Sequence, residues 1–283
     1  MKQRPTFLIT ALCFGFAFLY VPILSMIAFS FNNSRLATVW GGFSTKWYGK
    51  LLSNDKIIDA AILSLKIALV SATVATILGT MAGITLARFR RFRGRTVLSG
   101  LVTAPLIMPE VITGISMLIF FILIATMIEK LTGLRTQRGF TTVTLAHITF
   151  SLTFVTTIIQ SRLLSADISV EEAALDLGSR PWQVMKDITL PIISPAILSG
   201  WLLAFTISLD DVVITNFTTG PGATTLPILI WSKVKLGVTP DINALATITV
   251  SIVTIGVIFA GIAMNRAERR RDLDAQMAFR SNQ

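Results

Sequence analysis

The sequence predicts an all-α integral membrane protein, and three observations carry that prediction. Apolar residues make up 53% of the 283-residue chain and charged residues only 14%, against about 25% charged in an ordinary soluble domain. Mean hydropathy is +0.72, more apolar character than one soluble core of this length can hide. The apolar residues also fall into runs of about 20 or more, the length a helix needs to cross the hydrocarbon of a bilayer.

The first run, 7–31, contains no charged residue. It is too long for a signal-peptide core and has no small-x-small cleavage site after it, so it reads as a retained span. The second, 66–87, stops at the cluster Arg88, Arg90, Arg91, Arg93 and Arg95. The third, 97–127, is overlong and contains Pro105, Pro109 and Glu110. Proline cannot donate a backbone hydrogen bond, and lipid offers no substitute, so a kinked or broken helix buried in protein is expected there. The remaining spans are 141–161, 192–209 and 245–264. Six spans place both termini on one side of the membrane. The densest basic clusters, 88–95 and the tail from Arg266, make that side the cytoplasm. No internal repeat or linker divides the chain, which reads as one domain, 1–283.

Several function classes are excluded. A net charge of +10 would suggest nucleic acid in a soluble protein. Here the basic residues flank apolar runs without aromatic-basic interleaving or finger spacing, so the partner they point to is membrane lipid. With Cys13 and His147 the sole residues of their kinds, no internal disulfide, zinc or haem site can be assembled. No phosphate-binding G-x-x-x-x-G-K-[ST] loop is present, so the chain cannot use ATP as P-loop proteins do. No catalytic set is visible, and no cofactor is expected in this chain. An enzyme is therefore not predicted.

The most informative segment is the loop 165–191, between the fourth and fifth spans. Ser169 and Glu172 have capping-box spacing. Gly178 falls where a helix C-cap needs a left-handed residue, and Pro181 can open a second short helix. Two short helices joined by a glycine turn are expected. By physics alone this could equally be an amphipathic hairpin lying on the headgroups.

Three acids stand in or near the spans. Asp210 and Asp211 follow the fifth span, and Glu110 follows Pro109. A carboxylate in the bilayer is costly and usually faces a pathway or a partner, although a helix end in water would also accept these residues. On one helix two adjacent acids point about 100° apart, so only one of Asp210 and Asp211 would face a pathway.

The pattern Glu172-Ala173-Ala174, three residues, Gly178, nine residues, Ile188-x-Leu190-Pro191 resembles the EAA loop of binding-protein-dependent ABC importer permeases. Over most of its length the chain is similar to permease subunits of bacterial spermidine/putrescine importers. Phe31-Asn-Asn-Ser34, Trp47-Tyr48, residues 104–112, Ser208-Leu-Asp-Asp211 and residues 220–227 carry that likeness. The resemblance implies a type I ABC importer permease fold with a cytoplasmic coupling helix, in the bacterial inner membrane. It places Glu172, Ala173, Ala174, Leu177 and Gly178 against a separate ATPase that binds ATP and magnesium. It further implies two copies of that ATPase, a second homologous permease and a periplasmic polyamine-binding protein. The cargo would be putrescine or spermidine, passing Asp210, Asp211 and Glu110. An importer permease for another small solute is the alternative.

Overall fold

The computed structural model describes residues 6–36, 39–89, 91–237 and 239–256, with Ile258 and Ile262. Every regular element among the described residues is a helix, apart from an isolated β-bridge between Asn32 and Phe43. In order these are α1 (Thr6–Ser30), α2 (Lys46–Leu52), α3 (Asp55–Arg88), α4 (Arg95–Ile107), α5 (Glu110–Thr132) and α6 (Phe140–Ser165). There follow α7 (Ser169–Asp176), α8 (Pro181–Val184), α9 (Leu190–Asp210), α10 (Val213–Thr218), α11 (Leu226–Leu236) and α12 (Pro240–Gly256). Among the described residues, five stretches are long and apolar enough to cross a membrane: Phe7–Ser30, Asp55–Arg88, Glu110–Thr132, Phe140–Ser165 and Pro181–Asp210. The sixth expected span, 245–264, lies partly outside the described residues.

The chain forms two compact units, Met1–Asp55 with Lys233–Gln283, and Lys56–Ser232. In the first, the connection after α1 folds around Asn32, which is fully buried. The Asn32 side chain accepts the N–H groups of Ser34 and Gly41 and donates to the Val39 carbonyl at 2.7 Å. Trp47 Nε1 donates to the Asn32 carbonyl at 2.7 Å. The Phe31-Asn-Asn-Ser34 run therefore satisfies a turn that would otherwise leave backbone groups unpaired.

In the second unit α3, α6 and α9 share a core that includes Ala72, Val155, Ile159, Leu163, Ile193 and Ala204. Helices in lipid gain little from hydrophobic burial, so close backbone approach at small residues holds them together. Gly79 and Gly83, one turn apart on α3, supply that approach against α6. A Cβ on Gly79 would stand 2.8 Å from Val155 Cβ, and one on Gly83 2.8 Å from Ile159 Cβ. We expect Gly83→Leu to force these helices apart at a cost of about 1–3 kcal/mol, seen as a lower melting temperature of the detergent-purified protein. Gly100→Ala, where nothing lies within 4 Å of the added carbon, is the control that should not melt earlier.

The run 97–127 is two helices. Met108 and Pro109 are extended, with ψ 136° at both, as the residue before a proline prefers, and Glu110 starts α5. At 13 residues, α4 rises about 20 Å and is too short to span.

Candidate functional site

Two constellations lie at different levels of the second unit. The first is the loop after α6. Gly178 has φ +86°; its N–H donates to the Leu175 carbonyl and that of Ser179 to the Ala174 carbonyl. This is the paired bonding of a Schellman C-cap, and it turns the chain into α8. Pro181 opens α8, and the Gln183 side chain accepts the Arg180 N–H at 2.9 Å.

The start of α7 differs from expectation. Ser169 makes no side-chain cap, and the capping box with Glu172 does not form. Asp167 does the capping, accepting the Ser169 N–H at 2.9 Å, because a carboxylate two residues earlier meets an orphan donor of the first turn. Those Ser169 bonds hold the Asp167 carboxyl below the ordinary carboxylate range.

Of the residues assigned to docking, Glu172, Ala173, Leu177 and Gly178 are exposed and Ala174 half-buried. Leu177 is 88% and Trp182 71% exposed, so the loop presents apolar side chains outward. The residue that ties this loop to the bundle is one that no sequence pattern singles out. Glu171 accepts a hydrogen bond from Arg88 Nη2 at 2.8 Å and another from the Thr189 hydroxyl at 3.1 Å. Arg88 Nη1 also donates to the Leu163 carbonyl at 3.0 Å, near the end of α6. One ion pair thus joins α7 to the ends of α3 and α6 and to the segment leading into α9. That segment, Met185–Thr189, is a π-turn; Pro191 just beyond has no N–H to continue regular bonding.

The second constellation lies away from the loop. Glu110, Asp210 and Asp211 line one cavity of about 480 Å³ with Phe150, Phe154, Ile207, Val212 and Val213. Glu110 and Asp210 are exposed to it. Phe150 and Phe154, with ring centroids 5.3 Å apart edge to face, form its aromatic wall. Phe150 is ten residues into α6, about 15 Å from the helix end remote from the loop. The acids stand beside that level of α6, at the start of α5 and the end of α9.

The two aspartates are not on one helix. α9 ends at Asp210, while Asp211 is extended, with ψ 127°. The expectation of two acids about 100° apart on a helix does not hold, because Asp211 serves as the cap of α10. Its carboxylate accepts the Ile214 N–H at 3.2 Å, and the Thr215 N–H and hydroxyl at 2.7 Å each. The glycine-proline stretch beyond is the turn its composition predicts. A Cβ on Gly220 would lie 2.1 Å from the Arg138 carbonyl oxygen, so only glycine fits.

The second unit is thus a helical bundle with a small-residue seam, a break between α4 and α5 and an exposed glycine-turn loop. The sequence pattern of the family described as the binding-protein-dependent transport system inner membrane component matches residues 79–273, which include both constellations. The chain belongs to that family. It is 52% identical over 277 residues to the putrescine transport system permease protein PotI of Escherichia coli, covering 98% of this chain and 97% of that one. It is 42% identical over 243 residues to the spermidine/putrescine transport system permease protein PotC of the same organism, covering 86% and 88%. Among solved structures it resembles a bacterial ABC transporter involved in the import of the polysaccharide alginate. The TM-score is 0.74 at 16% identity, over 92% of this chain and 94% of that one. The inward-facing MetNI methionine ABC transporter gives 0.60 at 16% identity, over 75% and 95%. The fold is that of a type I ABC importer permease, in an inner-membrane, multi-pass protein.

Proposed function

We propose that this chain is a permease subunit of an ATP-driven importer that carries polyamine, putrescine or spermidine, across the inner membrane. It forms one permease domain with both termini in the cytoplasm, paired with a second, homologous permease. Two copies of a separate ATPase, using ATP and magnesium, dock on the loop at Glu172, Ala173, Ala174, Leu177 and Gly178. A periplasmic binding protein delivers the cargo on the opposite face.

The observation that carries the cargo is the cavity, where carboxylates and phenyl rings line one space. A polyamine is a flexible chain bearing ammonium groups. Carboxylates attract those groups more strongly as the dielectric falls, and ring faces attract them by cation–π interaction. The likeness to polyamine permeases over nearly the whole chain supports the same cargo.

The test is uptake of labelled putrescine by liposomes containing this chain, its sister permease, the ATPase and the loaded binding protein. Glu110→Gln with Asp210→Asn should lower uptake about tenfold, equivalent to about 1.4 kcal/mol in the transfer step. ATP hydrolysis stimulated by the binding protein should persist. Unchanged uptake by the double variant would remove the cavity from the path.

A further inference from the structure

The sole histidine of the chain is the centre of a buried polar network. His147, on α6, is 3% exposed. Its Nδ1 lies 2.6 Å from the Ser208 hydroxyl on α9. Its Nε2 lies 2.9 Å from the Thr215 hydroxyl on α10 and 3.3 Å from Asp211 Oδ2. Ser71, on α3, donates to Ser208 at 2.9 Å. One ring therefore bridges the point where α9 stops and α10 starts, and ties it to α6 and α3.

The hydrogen bonds have a direction. The Thr215 hydroxyl gives its hydrogen to Asp211 Oδ2, so Nε2, which faces that hydroxyl oxygen, is the donor there and carries a ring proton. The Nε2–H and the Thr215 hydroxyl both run toward Asp211. A carboxylate this buried is expensive unless such donors surround it.

We infer that His147 is a positioning residue for transport, acting through Asp211 to hold the α9–α10 break that aims Asp210 into the cavity. The adjacent acids thereby divide the work. Asp211 is spent on internal hydrogen bonds, and Asp210 is left, with Glu110, to meet the cargo. This inference rests on the cavity being the polyamine path.

The experiment uses the reconstituted four-component transporter and reads putrescine moved per ATP hydrolysed. A general loss of folded protein lowers uptake and hydrolysis together and leaves that ratio alone. Glutamine can place its amide nitrogen where Nε2 stands, whereas asparagine reaches only the Nδ1 position. His147→Gln should keep the ratio within about twofold of the parent, and His147→Asn should lower it about tenfold, as Asp211→Asn does. The His147→Asn, Asp211→Asn double variant should be no worse than the poorer single, as expected of two residues acting in one unit. Multiplying effects in that double, a normal ratio in His147→Asn, or a glutamine variant as poor as the asparagine one would overturn the inference. Asp210→Asn with undiminished uptake would instead overturn the path reading, a result separable from the coupling between His147 and Asp211.

Discussion

Gly178→Val should abolish coupled uptake while leaving the protein inserted at its normal level. At φ +86° a residue with a Cβ pays about 1–2 kcal/mol, and a β-branched one is worse placed still. Space is not the obstacle, since nothing lies within 4 Å of the position a Cβ would take; the strain is in the backbone. Relieving it means giving up the bonds from Gly178 and Ser179 to Leu175 and Ala174, and with them the angle between α7 and α8. Leu177 and Trp182, exposed on the two sides of that turn, would no longer present one surface to the ATPase. The measurement is hydrolysis stimulated by the loaded binding protein, together with uptake, in the reconstituted transporter. Both should fall more than tenfold. Gly178→Asn should recover much of the loss, because asparagine tolerates the left-handed region. Wild-type stimulation in the valine variant would sink the docking role of the turn.

What the sequence revealed follows the range over which each interaction acts. The glycine turn, the Pro181 helix start and the break at Pro109 are decided by neighbours within a few residues, and each could be read directly. The cap of α7 was misplaced by two residues because Asp167 and Ser169 are both competent caps and only geometry chooses. That Glu110 and Asp210 line one cavity depends on helices far apart in sequence meeting, which no local pattern encodes. Phe150 and Phe154, four apart on α6, look in sequence like any apolar stripe of a span. His147 drew notice only for being a single potential metal ligand; its partners Ser208 and Thr215 lie 61 and 68 residues away. A buried histidine between a serine and a threonine carries no sequence signature. Glu171 carries no sign of its ion pair for the same reason. Glu171 and Glu172 are adjacent, and the one that turns inward is selected by Arg88, 83 residues earlier.

Glu171→Ala is therefore expected to be as damaging to coupling as any change at the exposed Glu172. The Arg88–Glu171 pair has side chains only 15% and 13% exposed. Removing one partner of such a pair typically costs about 3–5 kcal/mol, because the other is left charged and uncompensated. Here the loss also frees the Thr189 hydroxyl and unties α7 from the end of α6, where Arg88 holds the Leu163 carbonyl. The ATPase could still meet the loop, but the loop would no longer pull on α3, α6 and α9. Hydrolysis should continue while uptake falls, and the loop should become more open to trypsin at Lys186. Arg88→Ala should behave alike. The double alanine variant should take up cargo no worse than the poorer single, since both singles remove the same link. If the two singles instead multiplied in the double, or trypsin cut no faster, the pair would be a surface contact rather than the link between loop and bundle.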